Sequence, residues 1–159
     1  MPRRCWRIHP PGYGPATTGQ ASRPWKKGLL EKAVAAYERA VDLDPSDLLV
    51  KADLAMVYAA AGKRARAQHI LEEFEEKARR EYVSALPLAW VHMAVGDLDS
   101  TFVWLDKLYE EHNPELIWMN QQPRYDRLRG DPRWRELMRK IGFTEAQIDA
   151  ANALAGKRG

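Results

Sequence analysis

From Lys27 onward, Leu30, Ala33, Val34, Tyr37 and Val41 recur at three- and four-residue steps. That is the period of a helix with one apolar face, and Pro45 closes it. Leu54, Ala55 and Tyr58 lie about one turn apart on a second predicted helix, and Ala67 and Leu71 lie on a third. Small Ala55 lets the second and third helices approach closely. Gly62 and Gly96 supply the positive φ that stops a helix before a short turn. Ser84 is placed as an N-cap, and Pro87 is tolerated only in a first turn, so a short helix is predicted to begin near Ala85. Near the end, Asp131 and Pro132 open a helix whose stripe is Trp134, Leu137, Met138 and Ile141 and whose stop is Gly142. Thr144 with Gln147 forms a capping box for a last helix to about Leu154.

The pattern repeats. A shift of 34 residues lays Ala33 on Ala67 and Thr101, Tyr37 on Leu71 and Leu105, and Ala40 on Phe74 and Leu108. The same shift lays Leu54 on Leu88, Ala55 on Ala89, Tyr58 on His92 and Gly62 on Gly96. Seven columns sharing one period without a gap predict stacked pairs of antiparallel helices.

These columns resemble the tetratricopeptide repeat over residues 27–115. Departures are His92 where an aromatic is usual, Thr101 where alanine is usual, and Arg79 and Asn113 where proline often closes the unit. The resemblance implies an all-α, right-handed solenoid of antiparallel helix pairs with a C-terminal helical cap. It divides the chain into a half-repeat (27–47), two units (48–81 and 82–115) and a closing segment (116–159). The stretch from Trp118 to Phe143, with Tyr125-Asp126-Arg127-Leu128 and Asp131-Pro132-Arg133-Trp134, is similar to the end-of-group segment that closes such repeats in many bacterial multidomain regulators. That implies the regulatory end of a larger signalling or transcription protein.

The first 24 residues hold five of the ten prolines and three of the ten glycines without apolar periodicity, so residues 1–26 are read as a basic, disordered segment. In the family pattern a first helix would fall on residues 14–27, where Pro15, Gly19 and Pro24 forbid it. The stripe Leu30, Val34, Tyr37 and Val41 is therefore expected to be an open edge. Trp6 or Trp25 folding back, a second copy in a homodimer, or a preceding domain would cover it.

Charge runs +6 over residues 1–30, −7 over 31–115 and +4 over 116–159. An acidic body between basic ends argues against a body-wide nucleic-acid face. A lone Cys5 excludes an internal disulfide, and no Cys/His spacing suits zinc. With no membrane-length apolar run and no secretory signal, the chain is read as cytoplasmic.

Candidate chemistry is sparse, and neither an enzyme nor a cofactor or metal is expected. His69 and Glu73 stand four apart on a charged helix, as neighbours in a solvated face do. Glu75 with Arg79 and Glu76 with Arg80 fit surface pairs of that kind. Gly12-Tyr13-Gly14 lacks the strand, lysine and helix of a phosphate loop, and Cys5 lacks an activating base. His92 is read as a half-buried imidazole bonded to a carbonyl or hydroxyl. Seven basic residues over 124–140 are interrupted by Asp126, Asp131 and Glu136.

The functional surface is expected on the first helices, where Leu49, Ala52, Met56, Ala59, Ala60, Leu86, Trp90 and Met93 line an apolar concave groove. Two readings stand side by side. In one, the closing segment folds into part of the groove through Ile117, Trp118 or Met119. In the other, Met56, Trp90 and Met93 receive a partner's helix or peptide, and Trp90→Ala abolishes capture with helicity intact. A non-catalytic protein-interaction module is the preferred function. The alternatives are an enzyme of unknown type with a small-molecule site in the groove, and a nucleic-acid adaptor using the basic termini.

Overall fold

The computed structural model describes residues 27–158. Expectations for residues 1–26, including Cys5, Trp6, Trp25 and Gly12-Tyr13-Gly14, lie outside the described residues. Eight α-helices and one 3-10 helix follow one another, with no strand among the described residues. They are α1 (Lys27–Leu43), α2 (Leu48–Ala60), α3 (Arg64–Arg80), α4 (Ala85–Val95), α5 (Leu98–Glu110), α6 (Leu116–Met119), the 3-10 helix Pro123–Leu128, α7 (Pro132–Ile141) and α8 (Glu145–Arg158).

Local chemistry sets most of these ends. Asp47 accepts from the Leu49 and Val50 amides at the start of α2, Asp97 from Ser100 at α5 and Asp131 from Arg133 at α7. Gly96 and Gly142, at φ 90° and 109°, adopt the left-handed conformation that ends α4 and α7. Ser84 precedes α4 without a side-chain capping bond. The Thr144 amide donates to Gln147 Oε1 at 2.9 Å, as the capping box requires, and α8 then runs past Leu154 to Arg158.

Helices α1 to α5 pack in succession through short turns, which forces neighbours antiparallel, and α7 packs on α8. Tyr58 meets Arg66 and Lys51 meets Glu73, so seven residues backward on α2 match seven forward on α3. Helix α4 packs on α2, α3 and α5, and its Ala85 to Ala94 stretch is buried throughout. The second helix of each pair opens at Arg64, Leu98 and Pro132, 34 residues apart each time. This stride therefore continues into the closing segment, with Gly130 and Asp131 falling where Gly96 and Asp97 stand. There the first helix is broken into α6 and the 3-10 helix. Helix α7 also turns a different face inward: Trp134 and Met138 are buried, one position ahead of the columns of Thr101 and Leu105.

The predicted open edge on α1 is corrected. Val34 is buried, Tyr37 and Val41 pack against the core, and Leu30 is half-buried. An amphipathic helix has one apolar stripe, and here α2 takes it. The apolar side chains that α1 leaves exposed are Leu29, Ala35, Ala36 and Leu43.

Candidate functional site

The expected groove is filled by the chain itself. Ala52, Met56, Leu86, Trp90 and Met93 are all buried, Ala59 and Ala60 are half-buried, and only Leu49 is exposed. As an open groove this set is corrected, because the 3-10 helix Pro123–Leu128 lies across it. Pro123 starts that segment and forbids continuation of α6, so the chain tightens into a 3-10 helix that aims Arg124, Tyr125 and Arg127 at α2 and α4.

Three side chains, Arg124, Tyr125 and Arg127, hold the segment in place. The Arg124 guanidinium lies 3.8 Å from the centre of the Trp90 ring and donates to Asp53 Oδ1 at 3.2 Å, with both ionised groups almost fully buried. Trp90 Nε1 donates to the Tyr125 hydroxyl at 2.8 Å, and the Tyr125 ring stacks on Trp134 at 5.6 Å. Arg127 donates at 2.6 Å to the Met93 carbonyl in the last turn of α4, an oxygen that also accepts from the Gly96 amide. Burial, with a smaller effect from Arg64, draws the Arg127 guanidinium below its ordinary pKa.

Behind this contact, Arg129 donates to Asp126 at 2.9 Å and to the Asn120 carbonyl at 2.7 Å, and reaches Asn152 on α8. Asn120 in turn donates to the Gln147 carbonyl. Sequence reasoning missed Asp53, Asn120 and Arg129. One signal was present: Asp53 is an acid inside the apolar run Ala52 to Tyr58, a position that demands a cationic partner.

All seven basic residues over 124–140 have acceptors. Besides Arg124, Arg127 and Arg129, Arg133 pairs with Asp131 and Asp99, Arg135 with Glu145 and Asp149, Arg139 with Glu145, and Lys140 with Asp106. His69 is exposed and lies 3.3 Å from Glu73, as a surface neighbour does. His92 differs from expectation: it is buried, its Nδ1 faces Asp97 Oδ2 at 3.3 Å, and its ring stacks on Trp104. Hydrogen bonds from Ser100, reinforced by His92, hold the Asp97 carboxyl below its usual pKa.

A cleft of about 500 Å3 between α1, α2 and α3 has Val41, Leu54 and Ile70 as its floor and the Lys51–Glu73 and Arg66–Glu38 pairs on its rim. A second, of about 400 Å3, lies between α6 and α8 over Phe143, Ala151 and Leu154. Among the described residues, no three His, Cys, Asp or Glu side chains converge to hold a metal, and no helix is long and apolar enough to cross a membrane. Comparison with protein-family models, curated proteins and solved structures finds no match.

Burial, reinforced by the Asp53 charge, pushes the Tyr37 phenol up to about 12, and burial drives Tyr125 above the ordinary tyrosine range. Both raised values mean that the folded state holds protons the unfolded chain releases near pH 10. Their stabilisation is complete below that pH and is lost as pH rises towards the folded values. Urea midpoints should therefore fall between pH 10 and 12, and Tyr37→Phe should flatten that fall; an unchanged slope counts against the Tyr37 environment.

Proposed function

We propose that the chain is a non-catalytic helix-pair repeat module of the tetratricopeptide type, a right-handed solenoid that holds a protein partner. The observation that carries this reading is the constant stride of the second helices, opening at Arg64, Leu98 and Pro132. A stack built at one stride cannot cover its own last apolar face, and here a degenerate third unit and α8 bury it, leaving a stiff platform. In this reading the module works in the cytoplasm as the regulatory end of a larger signalling or transcription protein, as the resemblance of its closing segment implies.

The seven cations over 124–140 are engaged within the molecule, which favours a protein partner over nucleic acid. The two clefts do not bring a nucleophile, a base and an orienting group together, which favours binding over catalysis. A peptide-display selection on the immobilised full chain tests this. Enrichment of one sequence pattern whose synthetic peptide binds saturably supports the module. Failure of any peptide to bind, with a small-molecule panel raising Tm instead, would replace it with the ligand-site alternative.

A further inference from the structure

Antiparallel pairing brings three connections to one edge of the molecule: α1 to α2, α3 to α4, and α5 to α6. Nine large hydrophobic side chains are exposed among the described residues, and six of them, Leu43, Leu49, Tyr82, Tyr109, Ile117 and Trp118, lie on this edge. Tyr82 donates to Glu111 at 2.9 Å, tying the second connection to the third. Counted with the last two residues of the helix before each connection, residues 42–50, 79–86 and 109–118 hold seven Asp or Glu against two basic residues, Arg79 and Arg80, which pair with Glu75 and Glu76. At the opposite edge, connections 61–63, 96–97 and 129–131 carry two basic and two acidic residues and no exposed large apolar side chain.

We propose that this acidic, aromatic edge is the docking surface of the module, and that its occupant is a cationic amphipathic helix of a partner protein. The inference rests on the interaction-module reading but places the site away from the concave face, which the closing segment fills. Charge selects the occupant: seven carboxylates against two arginines leave a negative edge that repels nucleic acid and anionic membrane surfaces and attracts a Lys/Arg-rich segment. Spacing selects its form. Helices packed as α2 and α4 are lie about 8–10 Å apart, and residues seven apart on a helix rise about 10.5 Å. Apolar anchors at i and i+7 of a partner helix therefore meet successive connections, while its cations face the carboxylates between them. Trp118 and Tyr82, the aromatic side chains on this surface that project furthest, supply the anchoring contacts.

The test titrates the full chain with a synthetic amphipathic peptide of about 20 residues, Leu on one stripe and Lys or Arg elsewhere, beside a counterpart with Glu for every cation. Saturable binding of the cationic peptide alone is expected, weakening as salt rises. Tyr82→Ser with Trp118→Ala should weaken it at least about tenfold, as should Glu110→Lys with Glu111→Lys. Val103→Ala, exposed but off this edge, should not, and circular dichroism should show equal helicity throughout. Equal binding by all variants, or no saturable binding, overturns the assignment. So does self-association abolished by the same substitutions, which would give the edge to a second copy. A tenfold gain in affinity on changing Arg3, Arg4 and Arg7 to Glu would give it to the chain's own first residues, with the same consequence. If display-selected peptides bind undiminished to the Tyr82/Trp118 variant, the module reading stands and this surface alone falls.

Discussion

Trp90→Ala is expected to lower stability by about 3–5 kcal/mol, the usual cost of truncating a buried aromatic side chain, and to release the closing segment from α2 and α4. The indole ring is the floor under Arg124 and its nitrogen donates to the buried Tyr125 hydroxyl, so its loss opens a cavity and removes the donor together. That hydroxyl sits in a site with no access to water, where a lost partner costs a further ~1–3 kcal/mol. Against a net stability on the order of 5–15 kcal/mol, the variant should unfold at much lower urea. Amide exchange should accelerate across residues 116–158 before it does in α2 and α3. An unchanged urea midpoint would show that the contact carries no energy. This replaces the expectation that the same substitution removes partner binding while leaving the scaffold intact: Trp90 holds the molecule's own segment.

Arg129→Met is expected to cost about 3–5 kcal/mol, the range for breaking a buried ion pair from one side, and to depress Tm on the order of 10 °C. Its guanidinium, only 5% exposed, serves α6 through Asn120, the 3-10 helix through Asp126 and α8 through Asn152, and it lies 5.4 Å from the centre of the Trp134 ring. One planar fork satisfies three directions at once. Lysine, a single point charge, cannot do so, and Arg129→Lys should recover less than half of the loss. Full recovery by lysine, measured by calorimetry, would show that charge alone matters there and that the fork geometry does not.

The two variants act in different places. Trp90 joins the closing segment to α4, and Arg129 holds that segment together internally. If both are right, Trp90→Ala should leave contacts within residues 116–158 partly formed, whereas Arg129→Met should disrupt them first. Neither variant replaces a side chain of the acidic edge, so peptide binding there should fail only as the closing segment, which carries Ile117 and Trp118, comes apart.

Much of the architecture was legible without coordinates because it is written in local chemistry. The 3.6-residue stripes, the Asp caps, the glycines at positive φ and the capping box at Thr144 act within a few residues, and the sequence displays them directly. The short helix opening at Ala85 followed from Pro87 alone. The 34-residue period was read over residues 27–115, and the structure carries it one unit further. That extension was hidden because Pro123 breaks the first helix and because α7 rotates its buried face by one position, so no apolar column lines up there.

The amino-acid order by itself determined that this chain forms helices with given caps and stops, of which α3, α5 and α7 open 34 residues apart, since caps, breaks and periodicity are decided by neighbours in sequence. Only the tertiary structure decided which apolar surfaces remain free. Whether Val34 or Leu43 meets water, whether Trp90 receives a partner or Tyr125, and whether the cations at Arg124 and Arg129 face solvent all depend on residues more than 20 positions away in two of the three cases and on helix packing in every one. A side chain's periodicity fixes the face it occupies on its own helix, but burial is a property of two surfaces, and the second is supplied by the fold.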